Sequence, residues 1–224
     1  FDALGVPYKI SRRPKWDTFP GAVYTISFEQ IMPDGRTLQN GSVHNLGQNF
    51  SRAFDITYET EKGEREYAWQ TCYGISGRPI AGLLAAHGDD NGAVLPPAIA
   101  PVQVVVVPIP YKGMEKRINE ACEDVAAVLR KAGIRVEVDL RADLTPGSKF
   151  YHWELRGVPI RIEVGPRDVK QGEVTVVRRD TLEKQTVKVD ELKTTVKRLF
   201  NKMSDDMRRR AWEWMEERVH KVSS

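Results

Sequence analysis

Cysteine is scarce in this chain: Cys72 and Cys122 are the only two among 224 residues. Two thiols supply neither a disulfide framework nor a four-ligand zinc site. Cys72 lies in a strand-like run and Cys122 in a helical one, which predicts a pair of reduced, buried thiols. An excess of one charge sign is also missing. The formal net charge of +3 is too small to announce a nucleic-acid partner by field alone, although Lys/Arg clusters such as Arg208-Arg209-Arg210 gather toward the C-terminal end. No run is long and apolar enough to span a bilayer, and no signal peptide opens the chain, so the expected setting is cytoplasmic, without membrane. Repeats and low-complexity tracts are absent. What is present is ordinary globular composition, 41% hydrophobic and 29% charged, at a length comfortable for two domains. The first residue, Phe1, stands in loop-like sequence with no methionine ahead of it, so the chain reads as part of something longer.

The first hundred or so residues predict antiparallel sheet. A strand from Val23 to Phe28 meets a Pro-Asp-Gly turn at Pro33–Gly35 and returns through Leu38, a hairpin signal. A second alternating pair flanks Glu61-Lys62-Gly63, and a helix from Pro79 to Ala86 closes the region. The proline-rich stretch Leu95–Gln103 has neither helical nor strand period and reads as an extended connector, with the domain boundary at Ala100. Beyond it the pattern changes. "VQVVVVPI" is continuously apolar, as in a strand covered on both faces. The next segment carries Ile118, Cys122, Val125 and Leu129 at helical spacing and stops at Gly133. "IRVEVDLR" completes a β-α-β unit with parallel strands and a right-handed crossover. A short helix at Phe150–Leu155, strands over "IRIEVG", "EVTVVRRD" and Thr186–Val189, and a charged helix from Asp190 follow. The expected class is α/β (α+β), an antiparallel sheet followed by a mixed-sheet α/β domain.

The stretch "YGISGRPIAGLLAAHGDDNG", Tyr73–Gly92, is the most chemical part of the chain. Gly74 and Gly77 permit close backbone approach, and Pro79 suits the first turn of a helix. Free N–H groups at that helix start favour an anion, and Arg78 adds a planar, permanently charged fork suited to phosphate or to stacking on adenine. A P-loop is excluded, because its lysine is missing and the feeding sheet is antiparallel. On these residues alone, a plain helix N-terminus bearing a surface arginine is the competing explanation. His87, Asp89 and Asp90 do not make a metal site, since Asp-Asp-Asn-Gly is turn chemistry.

The order of strand, Gly-x-Ser-x-Arg, apolar helix, "HGDDNG" and "LPPAIAPVQVVVVPI" resembles motif 3 of class II aminoacyl-tRNA synthetases and the exit into their anticodon-binding domain. "FPGAVYT", "LQNGSVHNLGQNF" (Leu38–Phe50) and "WELRGVPIRIEVGPRD" (Trp153–Asp168) narrow the resemblance to prolyl-tRNA synthetases of the archaeal/eukaryotic-like type, through nearly the whole chain. It implies residues 1–100 as the later part of a class II catalytic domain, 101–205 as an anticodon-binding domain, and 206–224 as a helical segment leading to a further domain. It also implies the ligands: L-proline, ATP with Mg²⁺, and tRNA(Pro), with a homodimer in the full-length enzyme.

By the same resemblance Arg78 grips the γ-phosphate of ATP and stabilises charge on the leaving pyrophosphate. Gln39, Ser42 and Ser76 contact the nucleotide, Ser76 having helix capping as its other role. Phe19 walls the proline pocket with an apolar ring, and His44 belongs to that pocket; alone, Phe19 reads as core and His44 as a structural hydrogen bonder. The chain departs from the family pattern at four places. Ser42 replaces a threonine while keeping the hydroxyl, Pro20 replaces an alanine, Gly77 replaces a threonine beside Arg78, and Val43 has no assigned role.

In the second domain Lys149, Glu154, Arg161 and Arg167 are implied as anticodon contacts. Unpaired bases are read by hydrogen bonds and stacking, and a carboxylate takes two donors from one guanine edge. Phe150 is either a stacking platform or core, Trp153 is core, and Asp168 fixes the Gly165-Pro166 turn. The Arg208–Arg210 run is either a solvated helix face or a contact to tRNA backbone. Motif 1 and the motif 2 arginine are not found in the sequence, so the chain is expected to be inactive in prolyl-adenylate formation by itself. An accessory, non-catalytic tRNA-binding fragment is the alternative function.

Overall fold

A computed structural model of the chain describes residues 1–220. Two compact units emerge, one of Phe1, Val6–Ala86 and the described residues from Glu217 on, the other of Asp2–Gly5 and His87–Glu216.

The first unit is built on a four-stranded antiparallel sheet of β1 (Lys9–Arg12), β2 (Tyr24–Ile31), β3 (Thr37–Gly47) and, after α1 (Asn49–Ala53) and a small ribbon of β4 (Thr57–Glu59) and β5 (Arg65–Tyr67), β6 (Gln70–Ile75). The order β1-β2-β3-β6 puts the strand that feeds the Ser-Gly-Arg turn at an edge. β2 and β3 form the hairpin that the Pro-Asp-Gly turn predicts. One irregularity matters. The register runs Phe28↔Gly41 and then Glu29↔Gln39, so Asn40 is an extra residue, a β-bulge. Asn40 donates to the buried Gln30 Oε1 at 2.9 Å, and Gln30 donates to the carbonyl of Gly82 at 2.9 Å. Those bonds seat α2 (Arg78–His87) on one face of the sheet.

Edge position also corrects the reading of Cys72. It is exposed, as is most of β6, because nothing among the described residues pairs with the strand's outer side. Cys122 is buried as expected, and burial pushes its thiol up to about 12. Iodoacetamide should therefore alkylate one of the two thiols in the native chain and both in denaturant, since thiolate and access are both required. Mass spectrometry that found Cys122 modified under native conditions would contradict this packing.

The second unit holds a five-stranded sheet in the order β11-β10-β9-β7-β8. Its elements are β7 (Val104–Pro108), α3 (Glu115–Lys131), β8 (Val136–Val138), α4 (Pro146–Leu155), β9 (Ile160–Val164), α5 (Pro166–Gln171), β10 (Glu173–Arg178), β11 (Lys184–Lys188) and α6 (Leu192–Glu216). β7 pairs in parallel with both β8 and β9, and β10 runs antiparallel to β9 and β11. The sheet is mixed, as expected. β7 is fully buried because its faces serve two clusters. Val104 and Val106 pack with Ile118, Cys122, Val125 and Leu129 of α3 and with Leu192, Val196 and Met203 of α6. Val105 and Val107 pack with Val158, Phe150 and Trp153. Each such fully buried aliphatic contributes about 1.5–3 kcal/mol, which is why the continuous valine run belongs at the sheet's centre.

The proline-rich stretch expected as an extended connector is part of this second unit. Ala93 N and Leu95 N donate to the carbonyls of Leu155 and Gly157, and Arg135 donates to the carbonyls of Pro97, Ala98 and Ala100. The helix expected from Asp190 begins at Leu192 and runs unbroken to Glu216, through the boundary drawn at 205/206. Its apolar stripe includes Met207, Ala211 and Met215, all buried.

Candidate functional site

The strand register of the first unit collects the implied ligand-binding residues on one sheet face. Thr25 lies opposite His44 and Ser27 opposite Ser42, while Gly74 pairs with Ser42 from the other side. The Asn40 bulge resets the alternation, so Gln39 lies opposite Glu29, whose carboxylate accepts from Ser27 Oγ at 2.8 Å. Gln39, Ser42 and His44 thus share a face although their sequence spacing is odd. Were the same residues paired without the bulge, Asn40 would lie opposite Glu29 and Gln39 would point to the side that α2 covers.

His44 is nearly buried and bonded at both ring nitrogens. Nδ1 lies 2.8 Å from Thr25 Oγ1, and Nε2 lies 2.9 Å from Ser42 Oγ. The ring of Phe19 lies beside it, centroids 4.8 Å apart, and Phe50 stacks beyond at 6.3 Å. Phe19 is 44% exposed, so it is not the core residue that composition alone suggests. The result is an aromatic wall against a polar patch, the surface a small apolar ring with a charged end requires. Gly74 is needed at its position, because an added Cβ would lie 3.0 Å from Ser42 Oγ. At Gly77 an added Cβ would meet nothing within 4 Å.

At the end of β6, Ser76 Oγ accepts from Arg78 N at 3.2 Å and so caps α2. Arg78 is exposed, and among the described residues its guanidinium has no hydrogen-bond or ion-pair partner. It stands at the positive end of a helix dipole, on offer to an anion.

In the second unit, Thr145 caps α4 by accepting from Ser148 N at 3.2 Å, with Pro146 in the first turn. That helix carries Glu154, whose carboxylate accepts from Arg161 Nη1 at 2.6 Å. Arg161 also donates to Glu163 at 3.0 Å and lies over the Phe150 ring, 3.9 Å from its centroid. Phe150 also packs on Val105 and Val107, so its ring serves the core while Arg161 lies over it. Trp153 is only partly buried, packing on the same valines while its indole donates to Asp139 Oδ2 at 2.8 Å. Burial works to raise the Asp139 carboxyl, but the bonds from Arg141 and Trp153 outweigh it and hold it at about 2. Lys149 does not extend into solvent; it is 4% exposed and donates to the Asp139 carbonyl at 2.9 Å. Arg167 is exposed in the first turn of α5, where Asp168 accepts from Gly165 N at 2.7 Å and fixes the turn as expected.

Among the described residues no cluster of His, Cys, Asp or Glu is grouped as metal ligands. Asp89 is instead held by both terminal nitrogens of Arg179, each at 2.6 Å, and that pair keeps its carboxyl below the usual range. Arg208 donates to the Asp2 carbonyl, Arg209 pairs with Glu213, and Arg210 pairs with Asp180. Sequence reasoning missed Thr25 and Arg179. Thr25 had a usable signal, its place on a strand directly across a hairpin from His44.

Two family models match the chain: the tRNA synthetase class II core domain (G, H, P, S and T) over residues 1–87, and the anticodon binding domain over residues 103–199. Proline–tRNA ligase of Methanopyrus kandleri is 52% identical over 224 residues, which is all of this chain and 46% of that protein. The chain belongs to the prolyl-tRNA synthetase family. Proline–tRNA ligase of Methanocaldococcus jannaschii is 51% identical over 96% of this chain and 47% of its own length. Prolyl-tRNA synthetase from Cryptosporidium parvum, solved with L-proline and AMP, superposes with a TM-score of 0.91 at 40% identity, over 99% of this chain and 48% of that one. The same enzyme has been solved with halofuginone and AMPPNP. The chain spans about half the length of the prolyl-tRNA synthetases it matches. No helix among the described residues is long and apolar enough to cross a membrane.

Proposed function

We propose that this chain serves a proline–tRNA ligase: ATP-dependent activation of L-proline to prolyl-adenylate, then transfer to tRNA(Pro), in the cytoplasm and as a homodimer. The observation that carries the reading is the Phe19–His44–Ser42 constellation on an antiparallel sheet whose edge strand leads into Arg78, which has no partner among the described residues, in a chain half identical to named proline–tRNA ligases. Phe19 and His44 take the pyrrolidine ring, and Gln39, Ser42 and Ser76 take the nucleotide. Arg78 takes the γ-phosphate, with Mg²⁺ arriving on ATP and not in a site of this chain's own. Carboxylate attack on the α-phosphorus places charge on departing pyrophosphate, where a preset guanidinium is worth most.

In the second unit Glu154 and Arg161 form a paired acceptor and donor over Phe150, suited to a guanine edge with its stacked face. Arg167 supplies charge near the phosphates. Lys149 contributes from beneath, fixing the backbone at Asp139 and lending charge to the adjoining surface. The accessory alternative keeps this reader and drops the chemistry.

Filter binding tests the reader on the chain as it stands. Proline tRNA should bind about tenfold or more tighter than the same tRNA with both anticodon guanines replaced, since lost base contacts leave buried polar groups unpaired. Equal binding of the two would remove Glu154 and Arg161 from this role.

A further inference from the structure

We infer that Thr25 is a positioning residue which sets the tautomer of His44 and thereby turns the Ser42 hydroxyl proton outward, toward the ligand. The ligand half of this statement rests on the functional reading above; the tautomer half does not.

One chain of contacts, with few protons to share, runs through this residue. The backbone N–H of Phe19 donates to Thr25 Oγ1 at 3.1 Å. Thr25 is 3% exposed, and among the described residues its hydroxyl reaches one further partner, His44 Nδ1 at 2.8 Å. A hydroxyl has one proton to give. Were His44 protonated at Nδ1, Thr25 Oγ1 would accept twice and its own proton would be stranded in a buried place, which native structures avoid. Thr25 therefore donates to Nδ1, and a neutral ring so engaged carries its proton on Nε2.

Nε2–H then donates to Ser42 Oγ at 2.9 Å. Ser42 spends an acceptor position on His44, and among the described residues its own proton finds no protein oxygen or nitrogen. That proton is left for a ligand acceptor, such as a carboxylate or phosphate oxygen of the reacting pair. The relay also ties the backbone at Phe19 to the ring it faces, so the apolar wall and the polar patch are set by one side chain. Thr25 lies under the site and touches no ligand itself.

Nitrogen-15 spectra of the histidine-labelled chain decide the first half. His44 should show a pyrrole-type Nε2 and a hydrogen-bonded pyridine-type Nδ1. In Thr25→Val the Nδ1 resonance should move to the position of an unbonded pyridine nitrogen, and in Thr25→Ser it should stay. A pyrrole-type Nδ1 in the unsubstituted chain, or an unmoved Nδ1 in Thr25→Val, overturns the assignment. If Thr25→Val fails to fold, the unsubstituted chain and Thr25→Ser still decide it.

Titration with L-proline in the presence of AMPPNP decides the second half. Thr25→Val should weaken proline binding about tenfold while Thr25→Ser stays within about twofold, the size of one misdirected hydrogen bond. Unchanged affinity in Thr25→Val overturns the ligand half. If neither ligand shifts His44 or Ser42 in the unsubstituted chain, the ligand half and the functional reading fall together, while the tautomer assignment stands or falls on the nitrogen spectra.

Discussion

Replacing Arg78 with alanine should lower proline-dependent ATP–pyrophosphate exchange by about 10²–10³-fold, the usual loss when one preset transition-state donor is removed. The assay requires this sequence within a catalytic domain of the length its relatives have. The guanidinium is exposed and has no partner among the described residues, so its removal leaves no protein group stranded and the fold should hold. Arg78→Lys should fall between, since it keeps the charge and loses the planar fork. The loss should sit in kcat more than in KM for proline, because the charge it opposes develops on the leaving group. An alanine variant within tenfold of the parent would remove Arg78 from the chemistry.

Gly92→Ala should be the most damaging small substitution in the second unit. Gly92 has φ of 124°, and an added Cβ would lie 2.6 Å from Leu155 Cα and 2.7 Å from its carbonyl oxygen. Both atoms are backbone, so neither can swing aside. The conformational and steric terms together should cost about 3 kcal/mol. For a chain of this size that lowers Tm by roughly 6–12 °C. Gly113→Ala separates the two terms, because Gly113 also has positive φ, 83°, but open space around it. Its loss should be near 1 kcal/mol, the backbone part alone. Scanning calorimetry of the two variants checks the difference; equal shifts would mean that the approach to Leu155 is not tight.

Much of the fold was legible because it follows from local periodicity. The spacing of Ile118, Cys122, Val125 and Leu129 specifies a helix face, and the valine run of β7 specifies a strand with two covered sides. The hairpin was legible from its turn. Residues that act through distant partners were not. Lys149 is an ordinary surface lysine by sequence, and only the turn at Asp139, ten positions back, shows why it is buried. Arg179 and Asp89 are ninety positions apart, and their pairing gives the Asp-Asp-Asn-Gly segment a structural task that turn propensity does not reveal. Cys72 was misplaced because strand sequence does not say whether a strand is central or at an edge. In the candidate site, motif order was enough to bring forward Phe19, Gln39, Ser42, His44, Ser76 and Arg78. The bulge that lets Gln39 join the others was invisible, since nothing in "LQNGSVH" marks which residue is supernumerary.

That extra residue has a consequence for how this segment can change over time. Asn40 keeps two rows of side chains in step: that of Gln39, Ser42 and His44 and that which carries the helix. Loss of its single codon would leave Gln39 opposite Glu29 but remove the amide that bonds Gln30, and with it one of the contacts that seat α2. Register and packing are therefore separable here: strand pairing alone holds Gln39 beside Ser42 and His44, whereas the helix side depends on the identity of this one amino acid.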